Sequence, residues 1–216
     1  MARPRTISNA KILSAARDCF VEFGPSVAMD VIADRLGVSP QALFKRFRNK
    51  HELMLAALTP VVPAPWIALV EAGPDDRDIE VQLAEILTEL AEFFVDVARR
   101  MSVLRFSGIE PRELMDRFDE PPPLVDIRVL SGWLQRAAER GLIGETDFAA
   151  TAMLMLTSMH GPAMLTDMLG HHPTGHSREE YVQFMVRTLL QGLRSSGAQL
   201  GTGPQSSFQP STQDPS

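Results

Sequence analysis

Cysteine is almost absent: Cys19 stands alone among 216 residues. No disulfide within one chain can form, and a reducing compartment is the simplest setting. Long apolar runs are missing as well. No window approaches the roughly 20 apolar residues of a membrane span, and the charged N-terminus MARPRTIS has no signal-peptide-length apolar stretch behind it. The expectation is a cytoplasmic protein with no membrane partner. Sustained period-2 alternation between hairpin turns does not occur, which excludes a sheet-based fold. The sequence also lacks G-x-S-x-G, P-loop, H-E-x-x-H and G-x-G-x-x-G patterns, so neither an enzyme nor a cofactor is expected.

What is present is helical periodicity and an uneven charge distribution. The chain has a formal net charge of -6, a poor match to a polyanion until it is divided by position. Residues 1–55 hold nine Lys and Arg against five acids, whereas the remainder holds 12 against 22. A basic head on an acidic body implies that only the head meets a nucleic acid.

The pattern of apolar residues and breakers predicts an all-α fold. A first helix runs from about Ile7 to Phe23 and stops at Gly24-Pro25; two short helices follow, about Met29 to Leu36 and from Pro40, separated by Gly37. A fourth begins at the N-cap Asn49 and ends near Leu58, before Pro60, Pro63 and Pro65, where the domain boundary is placed. Beyond it the spacing predicts a long helix from the cap Asp78, short segments near Arg112 to Phe118, and a helix over Leu124 to Arg140. A nearly all-apolar helix over Asp147 to Leu169 should kink at Pro162, and a last helix spans Arg178 to Arg194 behind the capping box of Ser177 and Glu180. Residues 196–216 are too polar to offset ordering entropy and are expected to form a disordered tail. The domains are thus 6–60, 61–195 and the tail.

The stretch with chemical meaning is Ala28 to Lys50, AMDVIADRLGVSPQALFKRFRNK: helix, glycine turn, and a second short helix running into a basic cluster. Ile32, Ala33, Leu36, Val38, Leu43 and Phe47 are spaced to form a small core. Ser39, Gln41, Ala42, Phe44, Lys45 and Arg46 are left facing outward on a helix that fits a DNA major groove about 12 Å wide.

Residues 6–58 resemble the DNA-binding domain of the TetR (tetracycline repressor) family. ILSAARDCFVEFG, ending at Gly24, is similar to the family's first helix, and VIADRLGVSPQALFKRFRNKHEL, Val31 to Leu53, to the remainder. The resemblance implies that Gln41, Ala42 and Lys45 can face bases and that Ser39, Phe44 and Arg46 lie along the backbone. Lys50 would hold a phosphate, and by analogy with minor-groove arms Arg5 would contact DNA. Two residues depart from the family pattern: Phe44 replaces the usual tyrosine, losing a hydroxyl contact to phosphate, and Ala28 replaces the usual Ser or Thr cap.

The resemblance further implies a C-terminal ligand-binding and dimerisation domain. A small-molecule effector, apolar in character, is expected among Phe94, Val97, Met101, Phe118, Trp133, Met155, Met159 and His160, since thioethers repack around varied ligands. The alternative for each is plain core filling. Tyr181, Met185, Leu189 and Gly192 are the expected homodimer contacts. His171, His172 and His176 invite a metal reading, but no cysteine or helical i, i+4 pair joins them, and a solvated loop is favoured. Cys19, among apolar neighbours, reads as a buried structural thiol. The expected function is a ligand-responsive transcription regulator, a repressor released from a palindromic double-stranded operator. Two alternatives are a small-molecule-binding or enzymatic bundle whose basic head is incidental, and an architectural DNA-binding protein without an effector.

Overall fold

A computed structural model describes residues 7–59 and 63–194, and of Pro111 and Arg194 the backbone only. Arg5 and the expected tail therefore lie outside the described residues. Among those described there is no strand, and they form ten helices: α1 (Asn9–Phe23), α2 (Met29–Leu36), α3 (Pro40–Phe44), α4 (Lys50–Leu58), α5 (Pro65–Glu71), α6 (Ile79–Arg105), α7 (Pro111–Met115), α8 (Pro122–Glu139), α9 (Phe148–Leu169) and α10 (Arg178–Arg194).

Local chemistry sets most of these boundaries. Ser8 caps α1 by accepting from the Lys11 amide, Asn49 caps α4 by accepting from Glu52, and Asp78 caps α6 by accepting from Glu80. The first helix therefore starts two residues later than the pattern of apolar residues suggested. Helix α5 was not expected at all. Pro65 reads in sequence as an interruption, yet it occupies the first helical turn, where its missing N–H costs nothing.

Two apolar cores organise the molecule. The body core is built from α5, α6, α8, α9 and α10 around Trp66, Leu83, Leu90, Trp133, Leu134, Met155 and Val186. The head core joins Ile12, Phe20, Ile32, Leu43, Leu53 and Leu58 of α1 to α4. It also contains Val103 and Leu104 from the last turn of α6, Ile109, and Leu114 of α7. Along the chain the cores change at the proline cluster, Leu58 lying in the head core and Ala64 in the body core, and the chain returns to the head core in the last turn of α6. A helix of 27 residues is about 40 Å long, so α6 reaches from one core into the other.

Helix α9 corrects one further expectation. By length and composition, Phe148–Leu169 is apolar enough to cross a membrane. It packs instead against α6 and α8, burying Ala152, Met155, Leu156 and Met159. Met153, Leu154, Leu165, Met168 and Leu169 remain exposed, as does Phe184 of α10.

Candidate nucleic-acid interface and body cavities

The turn between α2 and α3 is closed by Gly37, left-handed at φ 65° and ψ 36°, whose amide bonds back to Ala33 and Asp34 while the Val38 amide bonds to Ala33. A side chain at this φ would be strained, which is why glycine sits here. The turn packs α3 onto α2 through Leu43, the one fully buried residue of α3. Ile32 and Ala33 are buried beside it, with Leu36, Val38 and Phe47 partly buried, so the expected small core is present.

With Leu43 turned inward, Ser39, Gln41, Ala42, Phe44, Lys45 and Arg46 are all exposed, Phe44 at 49% despite being a large apolar ring. The Ser39 hydroxyl makes no cap bond and is free to donate. Ala28 likewise leaves the start of α2 without a side-chain cap. Arg46 has a second duty that the sequence did not reveal: its guanidinium donates to the Ile7 carbonyl and, at 2.9 Å, to Asn9 Oδ1, tying the α3 surface to the start of α1. Lys50 is half-buried, and desolvation lowers its pKa. An anion at its ammonium would reverse that cost.

Helix α4 is held at both ends. Arg17 of α1 donates to the Ala57 carbonyl at 3.0 Å and Arg100 of α6 to the Thr59 carbonyl at 3.4 Å, two cations on the negative end of the helix. Burial lowers the Arg17 pKa, and the neighbouring Arg100 lowers it further. At the other end His51 pairs with Glu113 at 2.8 Å and Glu52 with Arg117 at 3.9 Å. Sequence reasoning missed these contacts. They join residues up to 65 positions apart, and no local spacing marks such pairs.

The expected effector residues divide. Trp133 and Met155 belong to the closed body core, with Phe94 buried beside them and Val97 packed against them. Three cavities lie elsewhere. One of about 470 Å³ between α6, α9 and the start of α10 includes Met159 with Arg99, His172, His176 and Arg178. A second, of about 430 Å³, includes Phe118. A third, of about 460 Å³, brings together Met101, Leu104, Ile109, Met164 and His160 at the junction of the two cores. His160 stacks on Phe94 with ring centroids 5.0 Å apart; its Nε2 is buried without a partner among the described residues, and burial lowers its pKa.

Of the expected dimer contacts, Met185 and Leu189 are buried in the chain's own core, Tyr181 is partly buried against it, and Gly192 is exposed. On these last two helices the large apolar residues that face outward are Met153, Leu154, Leu165, Met168 and Leu169 of α9 and Phe184 of α10. The same helical stripe on α10 serves the intramolecular core, which the periodicity could not distinguish from an interface. In the α9–α10 loop the Thr174 hydroxyl lies 2.9 Å from His172 Nδ1 and 2.7 Å from His176 Nδ1, and among the described residues no group of three potential metal ligands forms.

Fold and site together define the class: an all-α protein with an N-terminal helix-turn-helix domain and a larger helical body. Residues 12–57 match the family described as bacterial regulatory proteins, tetR family. Over these residues the chain is similar to the DNA-binding domain of that family. It is 46% identical over 56 residues to the HTH-type transcriptional activator FasR of Mycolicibacterium smegmatis, an alignment covering 26% of this chain and 26% of that protein. The match thus spans about a quarter of that curated relative. Among solved structures, the chain is similar to the transcriptional regulator FadR of Bacillus subtilis, in complex with stearoyl-CoA, at 16% identity and TM-score 0.64, covering 87% of this chain and 100% of that one. A TetR-family regulator of Mesorhizobium loti gives TM-score 0.68 at 18% identity, covering 85% and 95%. At these identities the likeness is one of fold.

Proposed function

We propose that this chain is a homodimeric, operator-binding repressor whose hold on DNA is weakened by a small apolar effector in the body. The observation that carries the reading is the α3 surface: six exposed side chains around a single buried leucine, on the basic part of an otherwise acidic chain. Gln41, Ala42 and Lys45 read bases, Ser39, Phe44 and Arg46 lie along the backbone, and Lys50 takes a phosphate. Arg5, outside the described residues, contacts the adjacent minor groove.

A palindromic site needs two heads, about 34 Å apart. The exposed apolar residues of α9, joined by Phe184 of α10, supply the surface that pairs the copies, because a monomer rarely leaves such a patch in water. Phe184 and Gly192 replace Met185 and Leu189 in the reading of α10.

The effector fits the junction cavity better than the closed Trp133 core. Met101, Leu104 and Ile109 line that cavity and also pack against or belong to the head core, so an occupant displaces groups on which the head rests. The stearoyl chain of the ligand in the Bacillus subtilis structure supports an effector with an apolar body. Release requires that the ligand prefer the arrangement in which the heads are misplaced. The test is selection of genomic fragments by the purified protein, followed by anisotropy titration of the recovered duplex. Tight binding to a palindrome supports the reading, and recovery of no sequence above background removes it.

A further inference from the structure

We infer that the cavity between α5 and the N-terminal half of α8 is a binding site for a small organic cation, an ammonium or amidinium carried on an apolar or aromatic body. Three polar side chains are buried among the described residues: Gln82, Arg100 and Asp126. Gln82 is bonded to Asp75 and Arg77, and Arg100 to Thr59 and Asp96. Asp126 is 8% exposed and no hydrogen bond or ion pair among the described residues reaches it. It lines a cavity of about 430 Å³. Its oxygens are not among the fully enclosed polar atoms, yet withdrawing most of a carboxylate from water without a protein partner works against folding, so packing gives no reason for an aspartate at this position.

The surroundings set the sign of the missing partner. Glu71, Asp119 and Glu120 stand on the same lining, and its one basic residue, Arg128, is held by Glu120 at 2.6 Å. An anionic ligand would meet net negative charge, and a neutral one would leave Asp126 as it is. A metal ion does not fit, because no group of three ligating side chains forms among the described residues. The remaining wall is apolar, through Ile67, Val125 and Val129. Phe118, half-buried on the rim, offers a ring to a cation. Burial alone pushes the Asp126 carboxyl up to about 6, so near neutral pH it is ionised and waiting for a counter-ion.

This inference goes beyond the regulatory reading and does not depend on it. The test is calorimetric titration of the full chain, without DNA, with benzyltrimethylammonium, benzyl alcohol and benzenesulfonate at pH 7.5. The cation should bind, with the alcohol and the sulfonate at least about tenfold weaker. Asp126→Asn, with its fold checked by circular dichroism, should lose about tenfold or more in cation affinity. The wild type reads the same carboxyl without substitution: at pH 5 its cation affinity should fall about tenfold, as Asp126 takes up a proton. Glu71, Asp119, Glu120 and Arg128 face the ligand from α5, the preceding turn and α8, and remain in both arms. Equal binding of alcohol and cation, undiminished binding by folded Asp126→Asn, pH-independent binding, or no binding of the cation at millimolar concentration would each overturn the inference.

Discussion

The head and the body of this protein share the same helical periodicity but differ in charge, and only in the head do local devices fix which side chains face outward. In the head, each assignment rests on a local device: Gly37 turns the chain, Asn49 caps a helix, and one buried leucine leaves the rest of α3 outside. In the body, the same apolar periodicity serves a closed core, cavity walls and an exposed stripe. Those three fates are decided by which helix lies opposite, and a single helix does not encode that.

The largest expected effects separate core from surface. Leu189→Glu places a carboxylate in the body core, where Leu189 is 5% exposed, and should prevent folding at 37 °C, since an unpaired buried charge costs several kcal/mol. Trp133→Ala should cost about 3–5 kcal/mol of unfolding free energy in a urea titration, the cost of truncating a large core aromatic. A loss below about 1 kcal/mol would instead place Trp133 on a flexible pocket wall. By contrast, Leu154→Arg and Met168→Glu lie on the exposed α9 stripe. They should keep the monomer folded and halve the mass seen by light scattering; a folded protein of unchanged mass would remove α9 from the interface.

Legibility followed sequence distance. The all-α class, the helix-turn-helix and the outward residues of α3 depend on neighbours within about four positions, the range of helical periodicity and capping. The α4 anchors, Arg100 on Thr59 and Glu113 on His51, join residues 41 and 62 positions apart, and no motif marks them. Met185 and Leu189 were legible as an apolar face but not as an internal one. Helix α5 was hidden because proline stops a helix or starts one according to its register.

Asp126 gives a smaller effect with a definite sign. Its carboxyl is raised from 3.8 to about 6 in the fold, so the folded state holds the proton more tightly. The contribution of Asp126 to stability therefore falls as pH rises from about 4 through about 6. Asp126→Asn should gain on the order of 1–2 kcal/mol over wild type at pH 7.5, and the gain should vanish near pH 3. Thermal melts at the two pH values check this; equal stabilities at pH 7.5 would mean that the carboxylate is compensated.

The most direct measurement of the central claim, that α3 reads DNA from a basic head, is anisotropy titration of a selected palindrome and a scrambled duplex across a salt series. For the wild type, log affinity should fall steeply and linearly with log salt through counterion release. Lys50→Ala should weaken both duplexes alike and reduce the slope by about one, whereas Gln41→Ala or Lys45→Ala should cost about 1–3 kcal/mol on the palindrome only. Salt-independent binding, or the same loss on both duplexes in all three variants, would contradict the account.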